Sequence, residues 1–140
     1  MQEKIAVDIQ IPNQTQYLSL IGRIGENIAY APIRFNGDRD ELAFHLNLVL
    51  TEAVTNAICH ANQEDPSKKL RIVIAFSESR LSMKVFDEGN GFDIESFADS
   101  EVKETDEQGR GIPLIYRLMN HVQYRKQRNG CVLEMIKELQ

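Results

Sequence analysis

Residues 46–62 read LNLVLTEAVTNAICHAN, and how this stretch is read decides the fold. Leu46, Val49, Leu50, Ala53, Val54, Ala57, Ile58 and Ala61 recur at the spacing of one helix face. With Leu42 the stripe is wide, so the pattern predicts a buried helix reaching about residue 62, N-capped by Asp38 or Asp40. Inside the run, Glu52 and Asn56 lie four positions apart, on one face and about 6 Å apart along the axis. Buried polar groups need partners. A carboxylate here can accept a proton from a nucleophile, and an amide oxygen suits a hard ion such as Mg²⁺. A solvated Glu52 and an Asn56 bonded to a neighbouring loop would account for the same two residues.

Downstream, LRIVIAFS (70–77) is rich in β-branched residues and LSMKVFD (81–87) alternates, with only ESR between them. They read as a hairpin that leaves Asp87 at a strand end. DEGNGF (87–92) follows, and its Gly89 and Gly91 permit positive φ and close backbone approach. Residues 92–108, FDIESFADSEVKETDEQ, form a long acidic loop of the kind that is usually functional or disordered. GRGIPLIYRLMNHV then opens a helix, with Gly109 and Gly111 at its start and Pro113 in its first turn. Free N–H groups and the helix dipole there suit an anion, to which Arg110 adds a charge-assisted contact. VQYRKQ and CVLEMIKEL close the chain as a hairpin turning around Asn129–Gly130.

Upstream, EKIAVDIQI (3–11) sets Ile5, Val7, Ile9 and Ile11 on one face, a half-buried strand that is an edge or pairs with a second copy. Residues 14–31 read as a helix in which Gly22 and Gly25 let another helix approach. The order predicts one α+β domain over 1–140: a two-layer sandwich with helices on one face of a mostly antiparallel mixed sheet.

Composition limits the function. With 42% hydrophobic and 26% charged residues the chain is globular, and its net charge of −5 argues against gripping a nucleic-acid backbone. The basic clusters Lys68, Lys69, Arg71 and Arg125, Lys126, Arg128 read as a solvated loop and a hairpin tip. No apolar run approaches the ~20 residues that span a bilayer, and the N-terminus lacks a signal-peptide core. A cytoplasmic, membrane-free protein is expected. Cys59 and Cys131 lack metal-ligand spacing and read as free core thiols. His60 reads as structural.

E-x-x-x-N on a helix, D-x-G-x-G after a hairpin strand, a polar loop and G-x-G opening a helix together resemble the ATP site of the GHKL (histidine-kinase-like, or Bergerat-fold) superfamily. EAVTNAICHA, DEGNGF and GRGIPLI are similar, more narrowly, to the anti-sigma-factor serine/threonine kinases of bacterial partner-switching systems. The resemblance covers nearly the whole chain. It implies Glu52 as general base and Asn56 as the amide that ligates Mg²⁺ on the ATP phosphates. It implies Asp87 as acceptor of the adenine amino group, with Gly89 and Gly91 beside the base. Residues 92–108 would be the ATP lid, and Gly109, Arg110 and Gly111 its phosphate-contacting hinge.

The implied partners are a small anti-sigma-factor antagonist as protein substrate, a sigma factor or other effector, and a second copy in a homodimer. A nucleotide-sensing binding module without catalysis is the alternative, whereas a sensor histidine kinase would need a separate dimerising helical hairpin. Many relatives carry threonine after the last hairpin's glycine, supporting the adenine-binding aspartate. Cys131 stands there, a poorer hydrogen-bonding partner, which predicts weaker nucleotide binding.

Overall fold

The computed structural model describes residues 3–91 and 111–140. The expected lid at 92–108, Gly109 and Arg110 lie outside the described residues.

Asp38, in extended conformation, accepts hydrogen bonds from the amides of Asp40 and Glu41, the cap expected for the central helix. Negative charge on Asp40 and Glu41 also suits the positive end of the helix dipole. This helix, α2, runs Arg39–Asn56 and passes directly into a π-helical turn, Ala57–Ala61. Before it comes α1, Leu18–Ile28, after a short 3₁₀ turn at Thr15–Tyr17; α3 is Gly111–Leu118. The first helix is thus shorter than the expected 14–31. Gly25 does permit close approach: a Cβ there would stand 2.9 Å from the Leu46 carbonyl oxygen. The Arg39 guanidinium donates to the carbonyls of Ala29, Ala31 and Ile33, tying the segment that follows α1 to the start of α2.

Five strands, β1 Lys4–Pro12, β2 Lys69–Phe76, β3 Arg80–Asp87, β4 His121–Gln127 and β5 Gly130–Glu138, form a sheet in the order β1-β2-β3-β5-β4. Every pairing among them is antiparallel, so the sheet is not mixed. Each neighbour in sequence within a hairpin is reached by a short turn, and no crossover forces a parallel pair. The last turn is Arg128–Asn129, because Gln127 pairs with Gly130.

Helices cover one sheet face. Leu46, Val49, Leu50, Val54 and Ile58 pack with Ile72, Ile74, Met83, Val85, Leu133 and Met135 in one core. By length and hydropathy alone the helix over Arg39–Ala61 would cross a membrane, contrary to the run-length expectation; 56% of its most apolar window is buried in the protein, the signature of a core helix. β1 is an edge strand, as expected. A bulge between Ile5 and Val7 breaks its alternation, and Ile5 is 64% exposed instead of half-buried.

Candidate functional site

On α2, Glu52 is half-buried and Asn56 buried. Asn56 Nδ2 donates to the Glu52 carbonyl at 2.8 Å. The amide is therefore bonded to its own helix rather than to a neighbouring loop, and its oxygen is left as the acceptor end. The Glu52 carboxylate lies against the first residue of α3. A Cβ on Gly111 would fall 2.4 Å from Glu52 Oε2, so the helix start reaches this carboxylate only because Gly111 has no side chain. Free N–H groups of that first turn and the positive dipole end come with it.

Nine residues further along, the helix is met by the other glycine stretch. A Cβ on Gly89 would stand 1.9 Å from the Ala61 carbonyl oxygen at the end of the π turn. Gly89 thus serves close approach, whereas Gly91 supplies the positive φ, +91°. Glycines from separate stretches therefore abut one helix at points about 13 Å apart at 1.5 Å per residue.

Asp87 ends β3 and is buried. Its Oδ1 accepts the Gly89 amide at 2.9 Å, and Tyr124 donates its hydroxyl to Oδ2 at 3.2 Å. Burial pushes the Asp87 carboxyl above its ordinary range; the Gly89 amide, the Tyr124 hydroxyl, the Cys131 amide and the Lys68 charge pull it back. Tyr124 itself holds its proton far more tightly than usual, first through burial and then through its bonds to the Cys131 thiol and Asp87. Cys131 pairs directly with Asp87 across β3 and β5, and is a free, buried thiol as expected.

The turn after Asp87 is tied down by buried amides. The Glu88 amide donates to Asn62 Oδ1 at 2.9 Å; Asn62, wholly buried, donates to Asn13, and Asn13 to the Asp65 carbonyl. The Glu88 carboxylate accepts the Lys69 amide. Sequence reasoning missed Asn62 and Tyr124. The only available signal for Tyr124 was alternation in VQYRKQ, which puts it on the core-facing side with Val122.

Glu52, Asn56 and Gly111 thus gather at one place on the helix, and Asp87, Gly89 and Gly91 at another. Gly109 and Arg110 belong to the undescribed stretch. The two basic clusters do not stay apart. Lys69, Arg71 and Arg128 line one cleft of about 500 Å³ outside the Asp87–Asn90 turn, and Lys68, Lys126 and Arg128 line its neighbour. Arg71 is also paired with Asp8 and stacked over Phe86. Among the described residues no three His, Cys, Asp or Glu side chains gather to hold a metal ion. A divalent ion at Asn56 would fit only in the manner of Mg²⁺, which takes one or two protein ligands and completes its shell with phosphate oxygens and water.

Comparison with known proteins identifies the family. The family model described as histidine kinase-like ATPase domain matches residues 12–137. The serine-protein kinase RsbW of Bacillus subtilis is 29% identical over 141 residues, 95% of this chain and 85% of that protein. The anti-sigma F factor of Anoxybacillus flavithermus is 30% identical over 105 residues, 71% of each. Among solved structures, the histidine kinase domain of a blue-light activated kinase from Erythrobacter litoralis superposes with TM-score 0.59 at 18% identity, over 92% of this chain and 62% of that one. The chain thus spans about three-fifths of that structure's length, and the likeness is one of fold.

Proposed function

The chain belongs to the histidine kinase-like ATPase family, and from that premise we propose that it is an ATP- and Mg²⁺-dependent protein serine/threonine kinase of the anti-sigma type. Its substrate would be a small antagonist protein, and its second partner a sigma factor or another effector. The names of its relatives support this reading, since they include serine-protein kinases and an anti-sigma factor. The observation that carries it is the pair of glycine contacts on one helix. Gly89 against Ala61 and Gly111 against Glu52 bring the turn after Asp87 and a helix start against one helix. That is the layout an extended nucleoside triphosphate requires.

In this reading Asp87 accepts the adenine amino group, with Gly91 leaving room beside the base. The first turn of α3 receives phosphate oxygens on its free amides. Asn56 would hold Mg²⁺ through its side-chain oxygen, and the ion would supply charge neutralisation during phosphoryl transfer. Glu52 accepts the proton of the attacking hydroxyl, and its place beside the α3 terminus sets it at the phosphate end, where the reaction occurs. The homodimer contact is assigned to β1, an edge strand with Ile5 exposed.

Labelled ATP and a candidate antagonist protein test the reading. Phosphate should appear on a hydroxyl of the partner, and Glu52→Ala should lower the rate by about 10²–10⁴-fold while nucleotide still binds. Binding without transfer to any partner would favour a nucleotide-sensing module. Asn56→Ala should remove the Mg²⁺ dependence of nucleotide affinity; an unchanged dependence would overturn the metal assignment.

A further inference from the structure

We propose that Tyr124 is a positioning residue for base recognition: its hydroxyl holds the Asp87 carboxylate as the fixed acceptor for a 6-amino purine. The inference rests on the nucleotide reading above and names a residue that reading does not use.

Tyr124 lies in β4, two strands away from Asp87 in the sheet order. It pairs with Leu133, one core-facing row below the row in which Asp87 pairs with Cys131. Tyr124 is a diagonal neighbour of Cys131, about 7–8 Å away, and Asp87 lies one strand further, about 5 Å beyond it, so the aromatic side chain must reach across β5. Tyr124 uses that reach to donate to Asp87 Oδ2 at 3.2 Å. The same ring comes to 3.9 Å from where a Cβ of Gly91 would stand, so it also floors the turn beside the base niche.

The carboxylate needs such a donor. Oδ1 is held by the Gly89 amide, and the residue directly opposite, Cys131, offers only a weakly donating thiol from its side chain. Tyr124 supplies a full hydroxyl to the other oxygen. A phenol keeps its proton near neutrality and an ionised carboxylate can only accept, so the hydroxyl donates to the Asp87 carboxylate. The groups acting on Asp87 are the Gly89 and Cys131 amides, the Tyr124 hydroxyl beside the Cys131 thiol, and Lys68 at longer range. The π turn of α2 presents the Ala61 carbonyl to Gly89 beside them. Removing the Tyr124 hydroxyl therefore raises the Asp87 pKa further, and a protonated Asp87 is a poorer acceptor for the purine amino group.

The test measures affinity for ATP and for the triphosphate of purine riboside, which lacks the 6-amino group, between pH 5.5 and 8.5. The proteins are wild type, Tyr124→Phe, Tyr124→Phe/Cys131→Ser and Asp87→Asn. Tyr124→Phe should bind ATP about tenfold more weakly at neutral pH, the scale of one hydrogen bond to a charged group. It should bind the deaminated analogue as wild type does, and its loss of ATP affinity on acidification should begin at higher pH. At saturating ATP its turnover should be that of wild type. Serine at 131, beside Asp87 in register, should restore part of the loss. Equal weakening of both nucleotides at every pH, or no weakening, overturns the proposal. Asp87→Asn losing ATP selectivity while Tyr124→Phe keeps it overturns this proposal alone. A wild type that binds no adenine nucleotide overturns the functional reading and this inference with it.

Discussion

The two glycine contacts on the central helix look alike and are built differently. At Gly89 the neighbour is main chain, the Ala61 carbonyl, which cannot move without moving the helix end. At Gly111 the neighbour is the Glu52 side chain: Oε2 at 2.4 Å can rotate away, whereas Cβ at 2.7 Å moves only with α2. The Gly89 end is therefore fixed by backbone against backbone, held further by Asn62, Asn13 and the Asp87 hydrogen bonds. The Glu52 end is set by one side chain whose carboxylate turns but whose Cβ is fixed to α2. The helix thus carries one contact locked by backbone and one that side-chain rotation relieves only in part.

Substitutions at the two contacts separate those properties. Gly89→Ala should have the largest effect: the clash with Ala61 costs about 1–3 kcal/mol of stability, as overpacking does, and abolishes measurable nucleotide binding. Thermal melting and ATP titration check both parts. Gly111→Ala should cost less stability than Gly89→Ala, because turning the Glu52 carboxylate relieves part of its clash, and should lower transfer by about tenfold or more. If it melts as early as Gly89→Ala, the two contacts are equivalent and the contrast fails.

Asp87→Asn tests the anchor from its electrostatic side. Burial raises this carboxyl's pKa in the folded state, so the folded protein binds the proton more tightly than the unfolded chain. Stability from this group is therefore fully present at low pH and is lost as pH rises from the ordinary carboxylate range through the raised value. At pH 7 the variant should melt at or above the wild-type temperature while losing ATP, and the difference should shrink on acidification. The smallest effect is expected just beyond the π turn, where Gln63 and Glu64 take positive φ values of 52° and 58°. Gln63→Gly should stabilise by about 0.5 kcal/mol, read in denaturant melts, by removing a left-handed penalty.

Much of the fold was legible because its signals are local. Helical spacing in 42–61, the Asp38 cap and the alternation of LSMKVFD each reappear as elements with ends within a residue or two. Glu52 and Asn56 were legible as a pair because four residues of helix always bring two side chains together. Tyr124 was not, since its bond to Asp87 spans 37 residues and depends on the strand order β3-β5-β4. The division of labour between Gly89 and Gly91 was hidden for the same reason: a missing Cβ has meaning only once its neighbour is known. The basic clusters were read as separate, and only the sheet's order brings Lys69 and Arg128 to one rim.

The π turn at Ala57–Ala61 makes chain length part of the site. The Asn62 amide reaches back five residues to the Ala57 carbonyl, so the helix holds one residue more than an α-helical turn would. Deleting a single residue from the α-helical stretch before the π turn would swing everything after it by about 100° around the axis. Asn62 would leave Asn13 and Glu88, and the Ala61 carbonyl would no longer face Gly89. Side-chain chemistry could be left untouched and the anchor would still be lost. Among the described segments, insertions and deletions should be tolerated at the Arg128–Asn129 turn and purged in the α-helical stretch ahead of the π turn. A scan of single-residue deletions would show the contrast directly.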